Sequence, residues 1–473
     1  MRSEKYSLPS PSSILDSRWL LLVIFILALA IRLYFNLVLN PFDTKLFSDM
    51  KDYNDQANLL LANPFVHNAS MALWPPGTVI ILALTKLIFG INNFKAIAVL
   101  YALFGAGNVL LAYLIAQRVT RVSFIALIVA IIGIFNVNQI MLGSYILSHT
   151  PYGFFMLLGL WFLIKLVDSG SYRNAILAGI FLGIALLIRP DVLIFLVLLI
   201  GFYLFSSKKF ILINFKHWLC LVSPVLICLI FSAIKLYIHT GRYGIISENG
   251  TYVLVAARCH NIWTTADDGK EAVNYGSAGM RFLQNAEEQS KQRSEQSFLK
   301  LDPAFDLVRE YKGYIGQRDK HFELVKECIA KTGIIKQIIY SFTNIMLLWH
   351  YQVWPIYSYS GGPLVVFDMT NYGLGEGVDY KLAPLNDQWN NLFKFYFMVP
   401  SFIAAVIFLF SRHNVKLNIV ALNYLSLIIL AGILYGEVRY RIAYDDVIVL
   451  LSLELYFMMG QSFLKWYRNN NNF

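Results

Sequence analysis

The chain has 473 residues, of which 57% are hydrophobic and only 14% are charged, and its formal net charge is +10 at pH 7. This composition excludes an ordinary soluble domain and predicts an all-α polytopic membrane protein, because several apolar runs reach the roughly 20 residues that a membrane-spanning helix needs. The excess of Lys and Arg is attributed to basic cytoplasmic loops, so no nucleic-acid partner is expected.

The first apolar run, 19–39, is long for a signal-peptide core and lacks a small-residue cleavage site, which favours a retained transmembrane helix. Nine further runs predict spans in chain order, at about 94–117, 122–140, 148–167, 174–188, 191–206, 218–239, 393–411, 416–435 and 443–464. We therefore expect about ten transmembrane helices, with 11 or 12 as alternatives, and both termini in the cytoplasm.

The run 75–90 is apolar but short, with a double proline at its start and Lys86 inside it. A spanning helix here would place Arg118 and Arg121 outside, whereas a surface or re-entrant helix places them inside. We prefer the surface or re-entrant helix.

Residues 174–205 are too many for one crossing and few for two. One long helix would bury Arg189 and Asp191 near the bilayer centre, at a cost of roughly 2.5–3.5 kcal/mol each. A hairpin of two short helices instead places the sequence "RPD" at an outer apex, and we predict that hairpin.

Three regions follow from this topology. We expect an N-terminal transmembrane module at 1–239, with a catalytic first outer loop at 40–93, an extracytoplasmic region at 240–392 and C-terminal helices at 393–473. The stretch 318–354 predicts interfacial amphipathic helices, and a membrane span at 335–354 stays an alternative. A disulfide between Cys259 and Cys328 is left open.

A helix that begins near Ser48 places Asp49, Asp52 and Tyr53 on one face, at spacings of i, i+3 and i+4. Two carboxylates on one face suit acid–base chemistry or cation binding. The alternative is that they only complement the helix dipole.

Four motifs follow each other along the chain: Asp49 with Tyr53, then "PPG" at 75–77, "RP" at 189–190 and "EVRYR" at 437–441. In this order the chain resembles the GT-C superfamily of membrane glycosyltransferases, in particular the branch of protein O-mannosyltransferases and lipid A aminoarabinose transferases. The resemblance implies a GT-C-like helical bundle that transfers a sugar from a polyprenyl phosphate to a lipid, glycan or protein acceptor. Its active site would face outward from the bacterial inner membrane.

The resemblance also implies roles for single residues. Asp49 would be the general base, and Asp52 a supporting carboxylate that joins Asp49 in holding Mg²⁺ or Mn²⁺ if a metal is used. The lipid phosphate would be bound by Arg189, Arg439 and Arg441. Tyr53 and Trp74 would stack on the sugar. His149, which stands where many relatives carry an acid, would contact the sugar or the acceptor.

The main alternative function is a transporter or flippase for a lipid-linked sugar. Transporters usually place their functional charges near the bilayer midplane. Here the charged motifs gather at one face, which favours an enzyme, although an inactive membrane scaffold stays open.

Overall fold

The computed structural model describes residues 18–42, 46, 48–120, 122–206, 212–258, 318–349, 389, 392–410, 414–434, 436 and 438–470. Helices joined by turns make up these ranges, and no strand occurs within them. The predicted all-α polytopic membrane fold is confirmed.

The N-terminal module contains ten α-helices. In chain order they are α1 (Arg18–Tyr34), α2 (Ser48–Ala62), α3 (Pro76–Phe89), α4 (Phe94–Val119), α5 (Ser123–Phe135), α6 (Val137–Leu142), α7 (His149–Ser169), α8 (Tyr172–Ile188), α9 (Val192–Ser206) and α10 (Phe215–Thr240). A π-helical turn, Phe35–Leu39, extends α1. Side chains of Asn93 and Asn214 accept backbone N–H bonds and so begin α4 and α10.

The rest of the described chain adds six α-helices. They are α11 (Asn249–Arg258), α12 (Arg318–Leu348), α13 (Val399–Phe410), α14 (Val415–Ile433), α15 (Val438–Ile442) and α16 (Asp445–Asn470). A π-helical turn, Lys394–Met398, precedes α13. Most buried apolar side chains of α4, α5, α7, α8, α14 and α16 form one continuous core.

Each of the ten predicted spans coincides with a helix. Six helices of the described chain are long and apolar enough to cross a membrane, namely α1 with its π-helical extension, α4, α7, α10, α14 and α16. The other four predicted spans are shorter apolar helices: α5, α8, α9 and α13 with its π-helical turn. Consecutive spans alternate in direction, so the bundle has two distinct ends.

One end, called the site end below, contains the start of α7, the α8–α9 turn and the start of α16. The side chains of Asn40, after α1, and Ser144, before α7, are hydrogen-bonded there at 2.6 Å. At the opposite end, Asp168 of α7 lies 3.2 Å from Arg118 of α4 and 2.9 Å from Lys416 of α14. Polar side-chain contacts thus mark both ends of the bundle.

The predicted hairpin at "RPD" is present, because α8 ends at Ile188 and α9 begins at Val192. The helix α3 has 14 residues and does not cross the bundle. It starts against Ile188 and is followed directly by the site end of α4. A Cβ atom on Gly77 would lie 2.6 Å from the Ile188 side chain, so only glycine allows this close contact.

Helix α12 is interrupted at Gly333, whose φ of 74° ends the first segment. Its second half packs on α11 and α14, where the Asn344 side chain donates to the carbonyl oxygens of Ala257 and Leu434. Its opposite face exposes Ile334, Ile335, Ile338, Ile339 and Phe342. An exposed apolar face of this kind can contact lipid both in an interfacial helix and in a membrane span, so both expectations for this segment stay predictions.

The cysteines divide into two groups. Cys220 and Cys228 are free, as expected for residues in an apolar helix. Cys328 is disulfide-bonded, whereas Cys259 lies outside the described residues. Arg121 and Glu437, which belong to the predicted topology and motifs, also lie outside the described residues.

Candidate active site

The candidate active site lies at the site end, where α2, α7, the α8–α9 turn and α15 meet. An ion pair joins two of these elements, because Arg439 Nη1 of α15 lies 2.9 Å from Asp49 Oδ2 of α2. Their side chains are 15% and 14% exposed, so a substrate can reach the pair. Two motifs separated by 390 positions therefore meet in space.

Arg189 enters the same site from the α8–α9 turn. Its Nε donates to Asp191 Oδ2 at 3.0 Å, which uses one edge of the guanidinium group. The central carbon of the group, Cζ, lies 4.6 Å from the ring centre of Tyr440 and 5.5 Å from that of Tyr152. These cation–π contacts hold Arg189 in place.

His149 is the first residue of α7 and is 4% exposed. Its ring stacks on Tyr440 with centres 5.8 Å apart, and it lies within electrostatic reach of Arg189 and Arg439. Neither ring nitrogen has a hydrogen-bond partner within the described part of the chain. The histidine that replaces the expected acid is therefore part of the cluster.

Tyr53 and Trp74 form the neighbouring aromatic wall, with ring centres 5.4 Å apart. Burial raises the pKa of the Tyr53 phenol well above its usual value, and the negative charge of Asp49 raises it further. The hydroxyl of Tyr53 hydrogen-bonds with Ser148, which precedes α7. Tyr53 is therefore a neutral hydroxyl beside Asp49 over the physiological pH range.

Tyr440 was not predicted from the sequence as a site residue, although it lies within the "EVRYR" motif. It contacts Arg189, Arg439 and His149 and is the central ring of the site. Its position between two motif arginines was the available signal.

Lys86 was also missed, although a lysine inside an apolar run is itself unusual. It is 2% exposed, and its Nζ donates to Asn54 at 2.7 Å, to Asn58 at 2.9 Å and to the Ile91 carbonyl at 3.0 Å. Because Asn54 and Asn58 belong to α2, Lys86 fixes the helix that carries Asp49 onto α3.

Arg441 does not join the cluster. It is completely buried, with Nε 3.0 Å from Asp445 Oδ1 and Nη1 3.1 Å from the sulfur of Met398. Positions 439 and 441 are separated by about 200° around a helix, so their side chains point in nearly opposite directions. The structure thus separates Arg441 from the other two arginines of the predicted phosphate site.

The described groups fit an anion better than a divalent cation. One oxygen of Asp49 is already paired with Arg439, and a second guanidinium group lies nearby. Within the described ranges, no group of three His, Cys, Asp or Glu side chains has metal-binding geometry. A Mg²⁺ or Mn²⁺ site on Asp49 and Asp52 stays a prediction, and no chemical step is derived from it.

The model of one protein family matches residues 21–239, which is slightly less than half of the chain. That family is described as dolichyl-phosphate-mannose-protein mannosyltransferase. The match covers the Asp49, "PPG" and "RP" motifs and confirms the resemblance to GT-C enzymes for this region. A comparison with curated protein sequences gave no match.

Two solved structures show similarity at low identity. The apo oligosaccharyltransferase from Archaeoglobus fulgidus is 16% identical over 96% of this chain and 52% of its own, with a TM-score of 0.49. ArnT from Cupriavidus metallidurans in the apo state is 11% identical over 92% of this chain and 77% of its own, with a TM-score of 0.37. The present chain thus spans about half the length of the archaeal protein.

Proposed function

We propose that the chain is a membrane glycosyltransferase that moves a sugar from a polyprenyl phosphate to a lipid, glycan or protein acceptor on the extracytoplasmic face. The observation that carries this proposal is the meeting of Asp49 with Arg189 and Arg439 at one end of the bundle, beside Tyr53 and Trp74. A carboxylate next to two guanidinium groups is what transfer from a phosphate-linked sugar requires.

In the proposed reaction, Asp49 accepts the proton of an acceptor hydroxyl while that oxygen attacks the anomeric carbon. The bond between the anomeric carbon and the phosphate oxygen breaks, and its electron pair leaves with the lipid phosphate. Arg189 and Arg439 stabilise the negative charge that develops on this phosphate. Because Arg439 also pairs with Asp49 at 2.9 Å, it links the base to the leaving group.

The matched family supports the choice of donor, because its description names a mannose carried on dolichyl phosphate. A lipid-linked donor also fits the position of the site, since the lipid tail stays in the bilayer while the sugar phosphate reaches the end of the bundle. Tyr53 and Trp74 form an aromatic surface suited to a sugar ring.

The distribution of basic residues supports an outward-facing site. Four basic residues lie at or near the opposite end, namely Arg118, Lys165, Lys216 and Lys416. Two of them, Arg118 and Lys416, form ion pairs with the same carboxylate, Asp168. Basic residues near membrane ends favour the cytoplasmic side. The site end would then face the periplasm of a bacterial inner membrane, with membrane lipids around the helices.

The test is transfer of radiolabelled sugars from a panel of polyprenyl-phosphate donors to candidate acceptors by the purified protein. We expect Asp49→Asn to lose about 10²–10⁴-fold in rate, the range typical of a general base. Asp55→Asn is the matched control, because Asp55 lies on the same helix but is exposed.

Equal transfer by wild type and Asp49→Asn would remove Asp49 as the base. If no donor supports transfer, but the protein in liposomes moves a lipid-linked sugar across the bilayer, the transporter or flippase function replaces the enzyme. Both measurements use the full chain.

A further inference from the structure

Two buried histidines differ in their hydrogen bonding. His149 and His217 are each 4% exposed. The Nδ1 atom of His217 lies 2.8 Å from the Asn214 side-chain oxygen, and its Nε2 lies 2.7 Å from the Gly170 carbonyl oxygen. Both ring nitrogens of His149 are without a partner in the described part of the protein. His217 is therefore satisfied by the fold, whereas His149 is not.

A buried polar group without a partner destabilises the fold, so such groups are rare and need an explanation. A neutral imidazole has one N–H donor and one nitrogen that accepts. Full satisfaction of His149 thus needs a ligand that offers one acceptor and one donor within the width of a single ring.

The groups around His149 define the charge of the site. The α8–α9 turn contributes Arg189 and Asp191, and α15 contributes Arg439, which pairs with Asp49 of α2. Tyr440 stacks on the ring of His149, Tyr152 contacts Arg189, and Tyr53 lies within electrostatic reach of Arg189 and Arg439. The two guanidinium groups of Arg189 and Arg439 offset the two carboxylates of Asp49 and Asp191.

A sugar attached to a phosphate supplies both missing partners next to each other. The phosphate oxygens only accept hydrogen bonds, whereas the ring hydroxyl next to the anomeric carbon can donate one. Arg189 and Arg439 lie within electrostatic reach of His149, and their guanidinium groups suit the same phosphate.

We propose that His149 binds the junction between phosphate and sugar in the donor. Its N–H donates to a phosphate oxygen, and its second ring nitrogen accepts a hydrogen bond from a hydroxyl of the sugar. His149 would thereby distinguish a glycosylated lipid phosphate from the bare lipid phosphate that remains after transfer. This inference rests on the proposed function, which supplies the lipid-linked sugar.

Equilibrium binding of three probes to the full chain in detergent tests the inference: undecaprenyl phosphate, its mannosyl derivative and its glucosyl derivative. We expect wild type to bind at least one glycosyl probe about 10-fold more tightly than undecaprenyl phosphate, which is the effect of one hydrogen bond in a buried site. His149→Leu should weaken undecaprenyl phosphate binding at least about 10-fold, because a bond to a charged group is lost, and should abolish the preference for the glycosyl probe.

Two variants make the result interpretable. His149→Gln keeps one donor and one acceptor and should retain part of the affinity and of the preference. His217→Gln also changes a buried histidine, but at the opposite end of the bundle, and should leave binding of all three probes unchanged. The unfolding temperature of each variant shows that it is folded at the temperature of the assay.

A folded His149→Leu variant that binds the three probes as wild type does would overturn the inference and leave the proposed function standing. Loss of phosphate affinity with the sugar preference intact would overturn the sugar contact and indicate that the acceptor hydroxyl is the second partner. Failure of wild type to bind undecaprenyl phosphate and both glycosyl probes would overturn the inference and count against the proposed function itself.

Discussion

Two arginines of the short helix α15 take part in ion pairs with opposite surroundings. Arg439 reaches the site and pairs with Asp49, and both side chains keep about 15% of their surface exposed. Arg441 turns into the bundle and pairs with Asp445, where neither side chain is exposed. The charges and distances are nearly the same, at 2.9 Å and 3.0 Å.

The two pairs differ in whether another anion, such as a substrate phosphate, can reach the arginine. A substrate phosphate can approach Arg439, so this pair is suited to rearrange during a reaction. The Arg441–Asp445 pair is closed off by Met398 and Phe393, and Asp445 also accepts from Asn136 at 3.1 Å. Burial, rather than the ion pair itself, separates a site residue from one that holds α15 on α16.

The largest expected effect comes from breaking the buried Arg441–Asp445 pair, called the closed pair below. Arg441→Leu leaves Asp445 buried and without its cation, so we expect a loss of about 3–5 kcal/mol in stability, measured by unfolding in detergent. The double variant Arg441→Leu/Asp445→Leu should recover much of this loss, because no charge is then left unpaired. Stability of the single variant equal to that of wild type would contradict a closed core pair.

Breaking the partly exposed Arg439–Asp49 pair, called the open pair below, should affect sugar transfer more than folding. Arg439→Gln removes charge-assisted hydrogen bonds to the phosphate, each of about 1.5–3 kcal/mol, so we expect a rate lowered by roughly 10–100-fold. The unfolding temperature should stay close to that of wild type. A variant with normal transfer but strongly lowered stability would reverse the roles of the two arginines.

A change in the packing of α3 on α8, next to Arg189, should have a smaller effect. Gly77→Ala places a methyl group 2.6 Å from the Ile188 side chain and 2.8 Å from its backbone nitrogen. Overpacking of this kind costs about 1–3 kcal/mol and should displace the neighbouring Arg189. Gly201→Ala, where a Cβ atom meets nothing within 4 Å, is the control and should not lower stability. Unchanged transfer and stability in Gly77→Ala would show that α3 tolerates a shift away from α8.

The smallest expected effect concerns pH. The pKa of Tyr53 is raised by burial and then by Asp49, so the folded state holds this proton more tightly than the unfolded chain, in which tyrosine has a pKa of about 10. The stability that it contributes is present below that pH and is lost as the pH rises above it. The unfolding temperature of Tyr53→Phe should therefore fall less than that of wild type when the pH is raised from about 8 to about 11. Tyr243→Phe, at an 81% exposed tyrosine, should behave as wild type does.

Much of the fold was predictable because the thickness of the bilayer sets the number of apolar residues that a membrane-spanning helix needs. The apolar runs gave the ten helices, and the cost of burying Arg189 and Asp191 predicted the α8–α9 hairpin that the structure contains. The order of the motifs also indicated the GT-C resemblance that the family match confirms for residues 21–239.

The composition of the site was predictable only in part. Asp49, Tyr53, Trp74, His149, Arg189 and Arg439 lie together, but their roles stay predictions. Tyr440 and Lys86 were missed, because their contacts join elements that are distant in the chain. No local pattern records that Lys86 of α3 is satisfied by two asparagines of α2.

The sequence by itself determined an all-α membrane protein with its polar motifs at one end, because hydrophobic length and the cost of buried charge act on each segment locally. Only the tertiary structure decided which motif side chains face one another. The two arginines of "EVRYR" are identical in type and only two positions apart, yet α15 directs one toward Asp49 and the other into the core. Helix phase and the surface against which α15 packs, rather than residue type, separate the two environments.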